Sequence, residues 1–290
     1  MIMLLLVLLF SVGGANAALF FPTSQEFNIN ETGSSIQTPG LFQGLAEDFV
    51  YYAYHHLEAG GSAGYYGVSV TMDVYALSLS KDQNSLAAVQ ISNGKDSVIR
   101  MAWEVYPRLY GGDSRSHLSA MWTNDGYRKT TCVNTECPVG FQPEAGAPLV
   151  LGDIIDQSSG IRQSLTIKLI KDGASGDWLL HCGLNQRDPT LIGRFPKSFF
   201  TGGLADRATT IDVGGIAADR TTELPPMGSG YLPTNDTMAT ATAASFSNIQ
   251  IFHENGQVSL LPDNVPTYLS SASYSASPVI NGKFFYGGPF

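Results

Sequence analysis

Hydrophobic and polar positions alternate along much of the chain. Val68, Val70, Met72 and Val74 interleave with Ser69, Thr71 and Asp73, a period of two that predicts a half-buried strand. Residues 97–106 repeat the pattern, with Ile99, Met101, Trp103 and Val105 on one side and Arg100, Ala102 and Glu104 on the other. In residues 162–170, Gln163, Leu165, Ile167 and Leu169 oppose Arg162, Ser164, Thr166 and Lys168. The aromatic stretch 46–57 predicts a first strand, and shorter apolar runs stand at 178–182, 211–217, 249–252 and 283–286. Turn signals separate them: Asn93-Gly94, Gly111-Gly112-Asp113, Asp172-Gly173, Asn255-Gly256 and Asn281-Gly282. No segment carries a convincing helical period. The pattern predicts an all-β chain with little helix, its antiparallel sheets packed as a β-sandwich.

The first residues follow a different rule. Residues 1–12 are almost wholly apolar and lead through Gly13-Gly14 to Ala15-Asn16-Ala17. A short apolar run closed by an A-x-A site predicts a secretory signal peptide over residues 1–17. It is shorter than the roughly 20 residues that span a bilayer. A polar lead-in over residues 18–43 then precedes one β domain over residues 44–290. Secretion makes glycan sites of the two sequons, Asn30-Glu31-Thr32 and Asn235-Asp236-Thr237. The destination implied is extracellular. With 16 Lys and Arg against 25 Asp and Glu, the net charge is −9. No basic stripe is left to neutralise phosphates, which argues against nucleic acid. After signal removal no membrane partner is expected either, and the protein is expected to be a monomer.

Local chemistry narrows the function only slightly. In an oxidising compartment Cys132 and Cys137 are expected to form a disulfide closing a short loop. Cys182 has no evident partner and reads as a small buried apolar side chain. Its neighbour His181 points to the opposite face of a strand, so the two make a poor nucleophile–base pair. His55-His56 stands apart from any ligand cluster and is assigned a surface or edge-strand role. No metal site, cofactor motif, phosphate loop or Gly-x-Ser-x-Gly is found, and no Ser/His/Asp set can be assembled. Glu104 lies on the strand face opposite Trp103, and by itself it reads as part of a solvated face.

Longer motifs carry a resemblance. The run Ala102-Trp103-Glu104-Val105-Tyr106-Pro107-Arg108-Leu109-Tyr110-Gly111-Gly112-Asp113 is similar to the Gly-Trp-x-Val-x-Pro-x-Leu-Tyr-Gly-Asp motif of the neprosin family. Trp122-Thr123-Asn124-Asp125-Gly126-Tyr127 and the stretch from Thr131-Cys132 to Cys137-Pro138-Val139-Gly140-Phe141 resemble that family's next motifs. Gly64-Tyr65-Tyr66-Gly67, Ile211-Asp212-Val213-Gly214-Gly215, Met227-Gly228-Ser229-Gly230 and Phe285-Tyr286-Gly287-Gly288-Pro289 are similar too. The resemblance implies a secreted glutamic-peptidase-like sandwich, mostly known from plants, acid-active and cleaving after proline. It implies a pair of glutamates in a cleft on one sheet, one activating water and the other protonating the scissile amide.

The same resemblance predicts a damaged site. The first glutamate position, three residues before the motif Trp, holds Arg100. The second, at the end of Trp-Gly-Gly-Glu, holds Ile216. A guanidinium stays charged at any relevant pH, and an alkyl group has no proton to exchange. If the second acid is instead the one matching Asp212, Arg100 alone is the decisive loss. A second family disulfide is also expected to be missing, with Ser where Cys belongs near Ser273-Tyr274, as is the family's N-terminal activation domain. The leading expectation is therefore a non-catalytic or impaired relative that binds a peptide or cell-wall polymer in an acidic extracellular or vacuole-like compartment. The alternatives are an active acid prolyl endopeptidase using displaced acids Glu104 and Asp212, and a structural or inhibitory protein without a small ligand.

Overall fold

The computed structural model describes residues 49–61, 63–155, 163–234 and 242–290. The signal peptide, the lead-in, the start of the β domain at residue 44 and both sequons, Asn30 and Asn235, lie outside the described residues. Sixteen strands run through the described chain: β1 (Phe49–Glu58), β2 (Gly67–Val74), β3 (Gln83–Asn93), β4 (Ser97–Val105), β5 (His117–Thr123), β6 (Cys132–Val133), β7 (Gln142–Pro143) and β8 (Gln163–Lys171). They continue as β9 (Trp178–Leu184), β10 (Thr190–Phe195), β11 (Thr210–Asp219), β12 (Ala244–Phe252), β13 (Val258–Leu260), β14 (Thr267–Leu269), β15 (Ser275–Ala276) and β16 (Phe284–Gly287). The described helix is confined to two 3₁₀ turns, Lys197–Phe199 and Gly203–Ala205. None of the described helix is long and apolar enough to cross a membrane.

The strands form two antiparallel sheets packed as a sandwich. The seven-stranded sheet has the order β14-β1-β11-β3-β4-β5-β6. The nine-stranded sheet has the order β15-β16-β12-β2-β8-β9-β10-β7, with β13 paired to β12. Each sheet takes strands from both ends of the chain, so distant segments meet side by side. The alternating apolar residues of β2, β4 and β8 point into the space between the sheets. Ile99, Met101 and Trp103 meet Val68, Val70 and Leu165 there, with Trp122 and Trp178 completing the core. At about 25 cal/mol per Å² of apolar surface removed from water, this layer dominates the stabilisation of the sandwich.

The second face of the seven-stranded sheet departs from the alternation. β4 and β5 are buried at every position, and β3 at all but its two end residues. Tyr52, Tyr54, Leu86, Ala88, Ala102 and Ile216 form a separate buried cluster on this outer face. Glu104 and Arg100 are only 3% and 4% exposed. The solvated strand face expected for Glu104 is therefore corrected. Two rings belong to this arrangement: Tyr110, on the turn after β4, stacks face to face on His117, and Tyr127 is buried with Val98 and Met121.

The expected disulfide is present between Cys132 and Cys137. It closes the turn leaving β6, whose Cys132 pairs with Trp122 of β5. Cys182 is free and buried, and burial pushes its thiol well above the usual range. His181 is half-buried on the other side of β9, as the strand period requires.

Candidate functional site

Register on the outer face of the seven-stranded sheet brings together residues far apart in sequence. His56 pairs with Asp212, Asp212 with Gln90, and Gln90 with Arg100, so β1, β11, β3 and β4 each place one polar side chain on a single row. Met121 of β5 ends the row. Two residues along, the next row reads Tyr54, Gly214, Ala88, Ala102 and Ser119. The third reads Tyr52, Ile216, Leu86, Glu104 and His117. Gly and Ala at the centre of the middle row are small between two rows of larger side chains, and Ala88 and Ala102 are buried within the outer-face cluster. Tyr54 walls one end, stacked on Tyr268 of β14.

Polar groups on the first row are tied in a chain. The Nδ1–H of His56 donates to Asp212 Oδ1 at 2.6 Å, and Gln90 Nε2 donates to Asp212 Oδ2 at 3.2 Å. The hydrogen bond to the carboxylate raises His56 above the ordinary imidazole range, with burial opposing. Burial raises the Asp212 carboxyl above its ordinary range, with His56 and Gln90 opposing. The pair is best treated as one unit that keeps its protons to higher pH than the free groups do. Arg100 has no such partner. Burial works against its charge, offset in part by Glu104, Tyr127 and Tyr110. Its Nη1, the Oε1 of Gln90 and the Nε2 of His56 are buried and lack a hydrogen-bond partner among the described residues.

Glu104, on the third row, is held from two sides. Asn84 Nδ2 donates to its Oε1 at 3.1 Å and Ser119 Oγ to its Oε2 at 2.7 Å. Asn84 lies beyond the third row, on the side away from Asp212.

This register decides which candidates meet. Arg100 and Ile216 stand two strands and four residues apart, a diagonal of roughly 16 Å between Cα atoms. Glu104 and Asp212 occupy the opposite diagonal of the same patch, with the same separation. Two carboxyl groups sharing one water must approach within about 6 Å, since each needs hydrogen-bond reach. Neither expected pair meets that condition. The row instead sets Arg100 across from Asp212 at about 10 Å between Cα atoms, two strand spacings, with Gln90 between them. Ile216 likewise faces Glu104 across Leu86.

The surface or edge role expected for His55-His56 is also corrected. Both rings are buried, on opposite faces of β1, which lies between β14 and β11. His55 faces the core, with Nε2 at 3.0 Å from the Ser277 carbonyl oxygen and its ring edge-on to Phe284. Gln90 also escaped sequence reasoning. A lone amide inside Leu86-Ala87-Ala88-Val89-Gln90-Ile91 was its signal, whereas His56 had none.

The family model for neprosin matches residues 81–289. No curated protein sequence matches the chain. Among solved structures, scytalido-glutamic peptidase with a peptide-based transition-state analogue is 11% identical, with a TM-score of 0.47 over 84% of this chain and 100% of that chain. SCP-B, a member of the eqolisin family of peptidases solved with the tripeptide Ala-Ile-His, is 9% identical, with a TM-score of 0.42 and the same shares. A carbohydrate-binding module of the Ruminococcus gnavus IT-sialidase is 11% identical, with a TM-score of 0.26 over 59% of this chain and 93% of that one. The family match covers well over half of the 290 residues and spans the Trp103, Cys132–Cys137, Asp212 and Tyr286 motifs, and by it the chain belongs to the neprosin family.

Proposed function

We propose that this chain is a secreted neprosin-family protein that binds peptides on the outer face of its seven-stranded sheet and does not hydrolyse them. One observation carries the reading: the buried carboxyl of Asp212 shares its row with a guanidinium, Arg100, and with no second acid. The family's chemistry, as the motifs imply it, requires two carboxyl groups around one water. Arg100 stands at the first of those positions and cannot pass a proton. Loss of one such group costs on the order of 10²–10⁴-fold in rate. Glu104 is no substitute, because Asn84 and Ser119 engage its oxygens at the far end of the patch. The N-terminal signal sequence and the Cys132–Cys137 disulfide support an oxidising, extracellular setting.

A second reading has one observation in its favour. Asp212 is buried, is raised in proton affinity and touches Gln90, so it retains the character of a group that exchanges protons in an acidic medium. On that reading the protein is a slow acid peptidase using Asp212 alone.

Incubation of the purified protein with proline-containing peptides between about pH 3 and 6, a range that spans ordinary carboxyl titration, separates the two by mass spectrometry of the products. No specific cleavage by the native chain, with turnover appearing in Arg100→Glu, is the expected result. Specific cleavage by the native chain that Asp212→Asn abolishes overturns the first reading and establishes the second. Cleavage abolished by Glu104→Gln instead would return the displaced acids to the site.

A further inference from the structure

Arg100 poses a physical problem that the fold does not solve. A buried guanidinium without a salt bridge carries a desolvation cost of several kcal/mol. Its Nη1 is completely buried and makes no hydrogen bond among the described residues. The nearest acid on its own strand, Glu104, has given both oxygens to Asn84 and Ser119. The acid on its row, Asp212, is taken by His56 and Gln90. Beside the unpaired donor, on the neighbouring strand, lies an unpaired acceptor, Gln90 Oε1. Buried donors and acceptors without a partner are exceptions that call for an explanation, and here one of each stands side by side on paired strands.

The donor and acceptor define what that ligand carries. Arg100 asks for an anion with planar oxygens, which a carboxylate supplies. Gln90 Oε1 asks for an N–H about 3 Å from it, on a ligand whose anion reaches the neighbouring strand, one strand spacing of about 5 Å away. The last residue of a peptide presents both groups on one backbone unit: a terminal carboxylate and, across its Cα, an amide N–H. An Asp or Glu side chain carries its carboxylate farther from a backbone N–H. Tyr110 and Tyr127 lie close enough to act on the guanidinium electrostatically, and since Arg100, Ala88 and Ala102 are buried, a chain end reaches them only as neighbouring side chains move aside.

From this we infer that Arg100 and Gln90 form a subsite for the free C-terminus of a bound peptide, Arg100 pairing with the carboxylate and Gln90 accepting the last amide N–H. The inference rests on the peptide-binding reading above and names the part of the ligand that the site recognises. It makes the protein a reader of peptide ends, such as those a proline-cleaving or other endopeptidase releases.

Calorimetric titration of the full chain at about pH 6, where a terminal carboxyl is ionised, tests it. The ligands are a proline-free pentapeptide with a free C-terminus, its C-terminal amide, the amide with an internal Asp, and a short oligouronide. The free C-terminus is expected to bind at least tenfold more tightly than its amide, equivalent to about 1.4 kcal/mol. In Arg100→Met that difference should vanish, and Arg100→Lys should restore part of it. Thermal melts confirm that each variant is folded.

Equal binding of acid and amide by the native protein, or a preference that survives Arg100→Met, overturns the inference. So does the absence of any peptide binding. Tighter binding of the internal-Asp amide moves the site to acidic side chains, and tighter Arg100-dependent binding of the oligouronide moves it to a wall polymer. Either result defeats the assignment to a peptide end. Mass spectrometry of the same samples keeps the two readings apart: fragments would refute the non-catalytic reading, whereas the acid-to-amide ratio alone decides the subsite.

Discussion

Arg100 is the residue on which the site turns. Its side chain is buried and its charge unpaired, the motif places a glutamate there, and its row leads to Asp212. A group held at such a cost should show itself when it is removed. Replacing an unpaired buried charge by an alkyl chain of similar volume removes the desolvation cost and keeps the packing. Arg100→Met is therefore expected to raise stability by about 1–4 kcal/mol, read from urea unfolding, while it abolishes discrimination between acid and amide peptides. Destabilisation would mean that the guanidinium already has a stabilising partner in the folded protein. The motif made Arg100 visible in the sequence. Its isolation was not, because its neighbours Gln90 and Met121 are fixed by strand pairing, and neither adjoins it in the chain.

At the level of strands, β11 sets the geometry of both faces. Gly214 and Gly215 sit in its middle, and each lies against a close neighbour. A Cβ at Gly214 would come within 2.3 Å of the Ala53 carbonyl oxygen and 2.4 Å of the Tyr54 Cα. A Cβ at Gly215 would meet the Tyr286 ring and Met227 Sδ at 2.6 Å. Backbone yields less readily than a ring or a thioether. Gly215→Ala is expected to cost about 1–3 kcal/mol through overpacking. Gly214→Ala should cost more, because β1 must move off β11 and His56 with it. Chemical denaturation of the two variants checks the order, and the reverse order would show that the β1–β11 contact has slack. The strands themselves were legible, because one-sided alternation survives in β2, β4 and β8. The burial of β4 on both faces was not, since a polar residue on a covered face and one on a wet face look alike in sequence. Nor was the register, for His56 and Asp212 lie 156 residues apart.

For the whole molecule, the proton balance of the row couples to stability. His56 binds its proton more tightly in the folded protein than in the unfolded chain. Its contribution is complete below the unfolded value of about 6.5 and fades as pH rises through the higher folded value. Asp212, also raised, acts in the same direction from about pH 3.8 upward. His55 opposes them, because burial lowers its affinity for a proton, and its contribution is lost as pH falls below about 6.5. The effect of the row is therefore isolated by difference. Between about pH 5 and 8, spanning the imidazole range, the native protein should lose stability relative to Asp212→Asn. Parallel pH profiles for the two proteins would show that His56 and Asp212 do not share a proton.

The row of four side chains runs across the strands, one residue from each. A chain molecule engaging all of it would lie crosswise over the sheet and touch side chains, leaving the ladder of main-chain hydrogen bonds intact beneath it. Recognition is thereby separated from strand pairing: exchange of four letters at positions 56, 90, 100 and 212 rewrites what is grasped and shifts stability, while the ladder that carries them keeps its register. Such a surface can lose one trade and acquire another without rebuilding its frame.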